Sequence, residues 1–276
     1  MRILPLIPRI IGVLEKAGRA IVNRQKSVSV MLKRDGSPVT DSDILSQQII
    51  VDEIRKIFPE LPLVAEESEL PASLPSEFLL LDPLDGTKSY IKGEKNYSIN
   101  LAIIAGGKPI FSAISAPAYS FTFVHSVETG SFLHRHIKER IIPHEKDTDN
   151  KIKIVTSKDH LDGATSAFME KLRKNLPEEI SVYNMGSAVK FCLLSLGVFH
   201  IYPRLLTNTN LWDLLPGFAI LAGCGGEILL PVDTIPLDLS FSIPFIAISP
   251  YAINIKDYVY KLAEEIWGKY YKWVPF

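Results

Sequence analysis

Beyond residue 150 the chain alternates between two apolar rhythms, and this restricts its fold more than any other feature. IKIVTS (152–157), ISVYNM (180–185), FHIYPR (199–204), GEILLP (226–231) and PFIAIS (244–249) are short β-type runs. Between them lie AFMEKLRKN (167–175), SAVKFCLLSLG (187–197) and WDLLPGFAILAG (212–223), which carry helical spacing. Strands that alternate with helices imply a layered α/β sheet, with helices packed on its faces. The first half has a different rhythm. NYSINLAII, KPIFSAISAP, SFTFVHS and GSFLHRH, from residue 96 to 136, read as successive strands of one sheet joined by hairpin turns. Two helices come before them. One runs near 8–23, with Ile11, Leu14, Ala17 and Ile21 at helical spacing. The other runs from Asp41 to Phe58, where Pro59 ends it, with Ile44, Ile49, Ile50, Ile54 and Ile57 on its apolar side. The polar stretch KDTDNK near 146–151 marks a boundary, dividing the chain into halves 1–148 and 149–276. A terminal amphipathic helix is predicted to carry Ile255, Val259, Leu262, Ile266 and Tyr270 on one stripe.

With 47% hydrophobic and 22% charged residues, the chain has the composition of a folded globular protein. Its 30 basic and 31 acidic residues nearly cancel, which argues against a nucleic-acid binder working through a broad basic surface. Cys192 and Cys224 form no metal-binding or disulfide pattern, so a reducing compartment is expected. The start, MRILPLIPRIIG, is apolar, but Pro5, Pro8 and Arg9 interrupt it and no signal-type cleavage site follows. A cytoplasmic protein is expected, and the apolar lead-in leaves room for weak peripheral contact with the inner membrane. His134 and His136 have no further ligands near them for zinc. The glycines at 223, 225 and 226 end a helix and precede a strand, the reverse of a dinucleotide-binding turn.

The chemistry is concentrated in FLLLDPLDGTKSY, 78–90. A buried strand delivers Asp82 to its C-terminal end, Pro83 stops the ladder, and Asp85 follows three residues later. Gly86 and Thr87 then open a short helix, whose unpaired N–H groups favour an anion such as phosphate. Two carboxylates would repel that anion unless a divalent cation sat between them, and Mg2+ takes oxygen ligands of this kind. Asp-Pro-x-Asp-Gly is also a good surface-turn sequence. LVAEES places Glu66 and Glu67 at the end of the preceding strand, beside Asp82 if the two strands are neighbours. Asp213 in NLWDLLPGF and Asp43 in TDSD stand at helix starts, where capping is the alternative role, and Pro216 fits only within the first turn of its helix.

The segments TDSD, AEES, DPLDGT and WD, in this order, resemble the inositol monophosphatase superfamily of Mg2+-dependent, lithium-sensitive phosphatases. KRDGSPVTDSD, DPLDGTKSYIKG and MGSAVKFCLLSLG…IYPR look closer to its CysQ-type 3′(2′),5′-bisphosphate nucleotidase branch, over about residues 8–250. The resemblance implies an α/β (α+β) fold, a layered α/β/α/β sandwich with the active site where the halves meet. It implies two or three Mg2+ ions held by Glu66, Asp82, Asp85, Asp213 and the Leu84 carbonyl. Asp43 and Thr87 would orient and deprotonate a metal-bound water, and the Gly86 and Thr87 amides would hold phosphate. His160, Ser187, Lys190 and Arg204 become candidates for binding the rest of the substrate. Read alone, Lys190 and Arg204, charged residues in otherwise apolar segments, are exposed or snorkelling side chains.

The activity implied is removal of the 3′-phosphate of adenosine 3′,5′-bisphosphate, giving AMP and phosphate. An inositol- or sugar-monophosphate phosphatase is the alternative. Several residues depart from the family pattern: Leu215 and Pro216 after WD, the TNTN at 207–210, and Phe199 and His200. They are expected to surround Asp213 and the nucleoside pocket, and so to bear on substrate choice.

Overall fold

A computed structural model describes residues 2–135, 151–157, 162–205, 209–235 and 243–274. The boundary expected near 146–151 and the substrate candidate His160 lie outside the described residues, apart from Lys151. Helix α1 (Ile7–Arg24) leads into a hairpin of β1 (Val30–Leu32) and β2 (Pro38–Thr40), then helix α2 (Asp41–Ile54). A six-stranded sheet follows, made of β3 (Leu63–Ala65), β4 (Glu77–Asp85), β5 (Ser98–Ala105), β6 (Lys108–Ala116), β7 (Phe121–Ser126) and β8 (Gly130–Arg135), with α3 (Thr87–Ile91) between β4 and β5. The strands lie in sequence order, β3 parallel to β4 and the rest antiparallel.

The second half contains β9 (Lys151–Ser157), α4 (Gly163–Asn175), β10 (Glu179–Met185), α5 (Val189–Ser195), β11 (Ile201–Arg204), α6 (Leu211–Gly223), β12 (Glu227–Leu230), β13 (Phe245–Ile248), α7 (Lys256–Trp267) and β14 (Tyr271–Lys272). Its strands form a second sheet in the order β10-β9-β11-β13-β12-β14, parallel from β10 to β11 and antiparallel beyond.

The expected layers are present. Helices α1 and α2 bury Ile10, Leu14, Ile21, Ile50 and Ile54 against Leu79, Leu101 and Ile103 of the first sheet. Between the sheets, α5 and α6 contribute Phe191, Leu194, Phe218 and Ile220, packed on Ile114 and Phe123 on one side and Tyr202 and Phe245 on the other. Helices α4 and α7 cover the outer face of the second sheet with Phe168, Leu172, Val259 and Leu262, a further layer. The N-terminal lead-in belongs to the core through Ile3, Ile7 and Ile10, while Leu4 stays exposed. Among the described residues, no helix is long and apolar enough to cross a membrane.

Several local expectations need correcting. Helix α2 ends at Ile54, and Ile44 points to solvent. Pro83 does not stop β4, because the strand absorbs it in an irregularity between Asp82 and Asp85 and then pairs Asp85 with Ser98. A bulge accommodates a residue that lacks an N–H. Asp213 is the third residue of α6, not its cap, which is Asn210, and Pro216 lies past the first turn. Packing on both sheets holds α6 together where the missing Pro216 N–H removes a helical bond. The terminal stripe breaks at Gly268, whose φ of 68° ends α7. The chain then returns as β14, so Ile266 is exposed, while Tyr270 lies beyond the helix and packs at the edge of the core, stacked on Tyr260.

Helices α5 and α6 touch where Gly217 faces Phe191. A Cβ at 217 would come within 2.1 Å of that ring, itself wedged against Tyr202, Phe218 and Phe245. Gly217→Ala is therefore expected to cost about 2–3 kcal/mol, as overpacking does. A urea unfolding midpoint lowered at unchanged slope would show it, and an unchanged midpoint would mean that the helices separate freely.

Candidate active site

Strand pairing assembles the acidic groups. Parallel β3 and β4 place Ala65 opposite Leu81, and the Glu66 N–H donates to the Leu81 carbonyl at 3.1 Å. The two strands thus end side by side, with Glu66 near Asp82. The irregularity in β4 is braced: the Leu84 N–H donates to Asp82 Oδ1 at 3.0 Å, and Ser46 Oγ donates to the Pro83 carbonyl at 2.6 Å. The start of α6 adds Asp213, because Leu211, Trp212 and Leu215 pack on Val64, Phe78 and Leu80 of the first sheet. One carboxylate oxygen from each of Asp82, Asp85 and Asp213 lies within 4.8 Å of the other two.

Three carboxylates so placed cannot all be charged without a cation. Burial pushes the Asp82 carboxyl well above the usual range, and Glu66, Asp85 and Asp213 push it further. Asp213 is raised by burial, then by Asp85 and Glu66. Burial also raises Asp85, but Lys190, Asn100 and the Ala188 amide oppose the shift. A cluster of hard oxygen donors with unmet negative charge is the donor set a divalent cation requires. Glu66 stands apart from the three. Its carboxylate accepts from Lys33 Nζ at 2.7 Å, and the same ammonium reaches Glu67 at 2.6 Å.

Asp43 and Thr87 meet across 44 residues. Thr87 Oγ1 is 3.0 Å from Asp43 Oδ1 and 3.1 Å from the Leu84 carbonyl. Asp43, the third residue of α2, also closes a capping box, where its Oδ2 accepts from the Thr40 N–H at 2.8 Å and from the Thr40 hydroxyl. One oxygen caps the helix and the other accepts from Thr87, so capping leaves Asp43 free to pair with Thr87 as well. Burial raises this carboxyl, opposed by its bonds to Thr40 and Thr87. Gly86 has φ 89°, and a Cβ there would meet the Asn96 carbonyl at 2.7 Å, so this tight turn needs glycine.

Glu66, Asp82, Leu84, Asp85, Asp213, Gly86 and Thr87 line one cavity of about 470 Å3, whose far wall comes from the second half; Asp43 is buried and does not line it, meeting the site only through Thr87. Ser187, Lys190, Tyr202 and Arg204 line it along with the acids. Lys190 is neither exposed nor snorkelling. It is 4% exposed, and its Nζ donates to the Ser187 carbonyl at 2.7 Å and the Met185 carbonyl at 3.2 Å. Arg204 is buried, with Nη1 3.5 Å from the Tyr202 hydroxyl. Four of the departures expected around the pocket do not line it. Leu215 packs on the first sheet and Phe199 in the inter-sheet core against Tyr183. His200 Nδ1 accepts from the Lys153 N–H, and Pro216 is buried in α6. Of TNTN, Thr209 and Asn210 line the cavity, while Thr207 and Asn208 lie outside the described residues.

Sequence reasoning missed three partners. Lys33 follows an exposed apolar strand, and nothing in its neighbourhood marks it as a partner of Glu66. Asn100, whose Nδ2 donates to Asp85 at 3.0 Å, left a signal: it is the polar residue inside the apolar run SINLAII. The Ala188 N–H, 2.5 Å from Asp85 Oδ2, is a backbone group and leaves none.

The profile of the inositol monophosphatase family matches residues 8–256. The chain belongs to the inositol monophosphatase family. As a member it is a phosphomonoesterase, and the Asp82–Asp85–Asp213 cluster agrees with the divalent metal such enzymes use. The chain is 30% identical to the 3′(2′),5′-bisphosphate nucleotidase CysQ of Shigella flexneri over 229 residues, 81% of this chain and 89% of that one. CysQ of Escherichia coli gives the same identity and coverage. Among solved structures, an inositol monophosphatase of Thermotoga maritima has 27% identity and a TM-score of 0.71, covering 93% of this chain and 95% of its own. CysQ of Bacteroides thetaiotaomicron, at 24% identity and TM-score 0.72, covers 88% and 96% and shares the fold.

Proposed function

We propose that this family member is a Mg2+-dependent 3′(2′),5′-bisphosphate nucleotidase, which removes the 3′-phosphate of adenosine 3′,5′-bisphosphate to give AMP. The observation that carries the reading is the cavity's polarity. An acidic cluster forms one wall, and the buried Arg204 guanidinium forms the other, beside Tyr202. A second anionic group on the substrate, beyond reach of the cations, suits that basic wall. The 30% identity to CysQ proteins points the same way.

In this reading Asp82, Asp85, Asp213 and the Leu84 carbonyl hold the cations, and Glu66 joins them on leaving Lys33. Bound there, the cations supply positive charge against the phosphate and acidify water. The chain's own groups do the rest. Thr87 Oγ1 donates to Asp43 Oδ1, which leaves its lone pairs to accept a proton from the attacking water. That proton passes through Thr87 Oγ1 to Asp43, whose raised affinity for protons suits a general base. The Gly86 and Thr87 amides hold phosphate oxygens, and Ser187 and Arg204 bind the remainder of the nucleotide. A cytoplasmic location is part of this reading.

The test is kcat/KM, from phosphate release, for adenosine 3′,5′-bisphosphate, inositol 1-phosphate and a sugar phosphate, in the wild type and Arg204→Ala. The wild type is expected to prefer the bisphosphate. Arg204→Ala should lower that value about 10- to 150-fold, the worth of a charge-assisted hydrogen bond, and barely change the others. A preference for inositol 1-phosphate or the sugar phosphate would replace the nucleotidase reading with the monophosphatase one.

A further inference from the structure

The turn from β10 into α5 is where the second half grips the carboxylate cluster of the first. Ser187 in that turn has φ 57°, one of only two described non-glycine residues with positive φ. A side chain in this region is strained and persists only where its surroundings hold it. The next residue makes the turn's contact with the acids: the Ala188 N–H donates to Asp85 Oδ2 at 2.5 Å. Asn100 Nδ2, at 3.0 Å, and Ser98 Oγ, at 3.4 Å, reach that same oxygen. Asp85 Oδ2 is therefore fully engaged, and Oδ1 is the oxygen left for a cation.

Something must hold Ser187 left-handed. Lys190 Nζ donates to the carbonyls of Met185 and Ser187, which bracket Gly186 and Ser187 themselves. The ammonium is buried and lies 5.1 Å from the centre of the Tyr202 ring. Of its three donors, two are thus committed to the turn. Gly186 adds to the constraint, since a Cβ there would meet Ser89 Oγ at 2.8 Å.

We propose that Lys190 is a positioning residue for Asp85: by gathering the Met185 and Ser187 carbonyls it locks Ser187 left-handed, aims the Ala188 amide at Asp85 Oδ2, and so turns Oδ1 toward the cation. The role differs from direct contact with substrate. It rests on the reading of Asp85 as a cation ligand. Losing Lys190 weakens cation binding even with no substrate present. Glycine at 187 adopts the same turn without strain and compensates for the loss.

The experiment is calorimetric titration of Mg2+ into substrate-free protein, for wild type, Lys190→Met, and Lys190→Met combined with Ser187→Gly, alongside kcat and KM. Lys190→Met is expected to weaken Mg2+ binding about tenfold and lower kcat at saturating Mg2+, with KM changed less than threefold. The double variant is expected to recover at least half of the lost affinity on a logarithmic scale. If Lys190→Met does not fold, Lys190→Gln, whose amide falls one bond short of the ammonium and donates less well to the two carbonyls, takes its place, and Mg2+ binding is again expected to weaken with KM changed less than threefold. Unchanged Mg2+ affinity with KM raised tenfold or more would overturn the proposal and make Lys190 a substrate contact. Failure of Ser187→Gly to recover affinity would also overturn it. Failure of the wild type itself to bind Mg2+ would instead refute the reading of Asp85 on which the proposal rests.

Discussion

Asp213→Asn is expected to abolish turnover and, at the same time, to make the metal-free protein more stable. Both effects come from one fact: three carboxylates converge within 4.8 Å, burial raises each of them, and acidic neighbours raise Asp82 and Asp213 further. Asparagine keeps the shape and can still hydrogen-bond Asp82, but it removes one negative charge. In the metal-free state this relieves repulsion. One pKa unit of relief is about 1.4 kcal/mol, so a gain of about 1–2 kcal/mol is expected. With Mg2+ the sign reverses, because the cations lose a charged ligand. A loss of about 4 kcal/mol of transition-state stabilisation is about a thousandfold in kcat. Thermal unfolding with EDTA and with Mg2+ separates the two effects. Wild type should gain more from Mg2+ than the variant. A variant destabilised in EDTA would mean that Asp213 is held by attractions rather than strained by repulsion. A variant with normal activity at saturating Mg2+ would remove Asp213 from the site.

The second large effect belongs to Thr87. Its hydroxyl bridges Asp43 and the Leu84 carbonyl, while its backbone sits at the start of α3. Thr87→Ala deletes the hydroxyl and leaves the backbone N–H in place. A proton relay contributes about 10²–10⁴-fold, so kcat should fall in that range while KM moves less than about threefold. Asp43 loses one of the bonds that oppose its raised pKa. Its second bond set, to Thr40, keeps the start of α2 capped, so the helix should survive. Steady-state kinetics decide the matter: unchanged kcat with raised KM would make Thr87 a binding residue only.

What could be read in the chain was what repeats or stands out against its surroundings. Alternation beyond residue 150 and hairpin-linked strands before it implied sheets with helices on their faces, and the layers follow from them. Asp82 and Asp85 stood out because carboxylates at the end of an apolar strand are costly without a purpose. Asp43 could be read both as a cap and as a partner of Thr87, and its two oxygens serve both. The misreadings have one cause, which is that tertiary packing overrides local rules. Pro83 and Pro216 ought to have ended a strand and confined a helix start, but a braced irregularity and two flanking sheets absorb them. Lys190 looked like an ordinary surface lysine because the carbonyls that accept its protons belong to a turn no side-chain pattern encodes. Lys33 was invisible for a related reason. It reaches Glu66 from a hairpin 33 residues away, and only the folded chain brings the two together.

In the proposed reading, Asp82, Asp85 and Asp213 bind the divalent cations on which hydrolysis depends. Anomalous difference density from a crystal grown with Mn2+ in place of Mg2+ tests it most directly. Peaks are expected at coordinating distance from these three carboxylates and the Leu84 carbonyl, with Glu66 turned away from Lys33 toward one of them. Peaks elsewhere, with none among the three carboxylates in crystals of enzyme that Mn2+ activates, would contradict it.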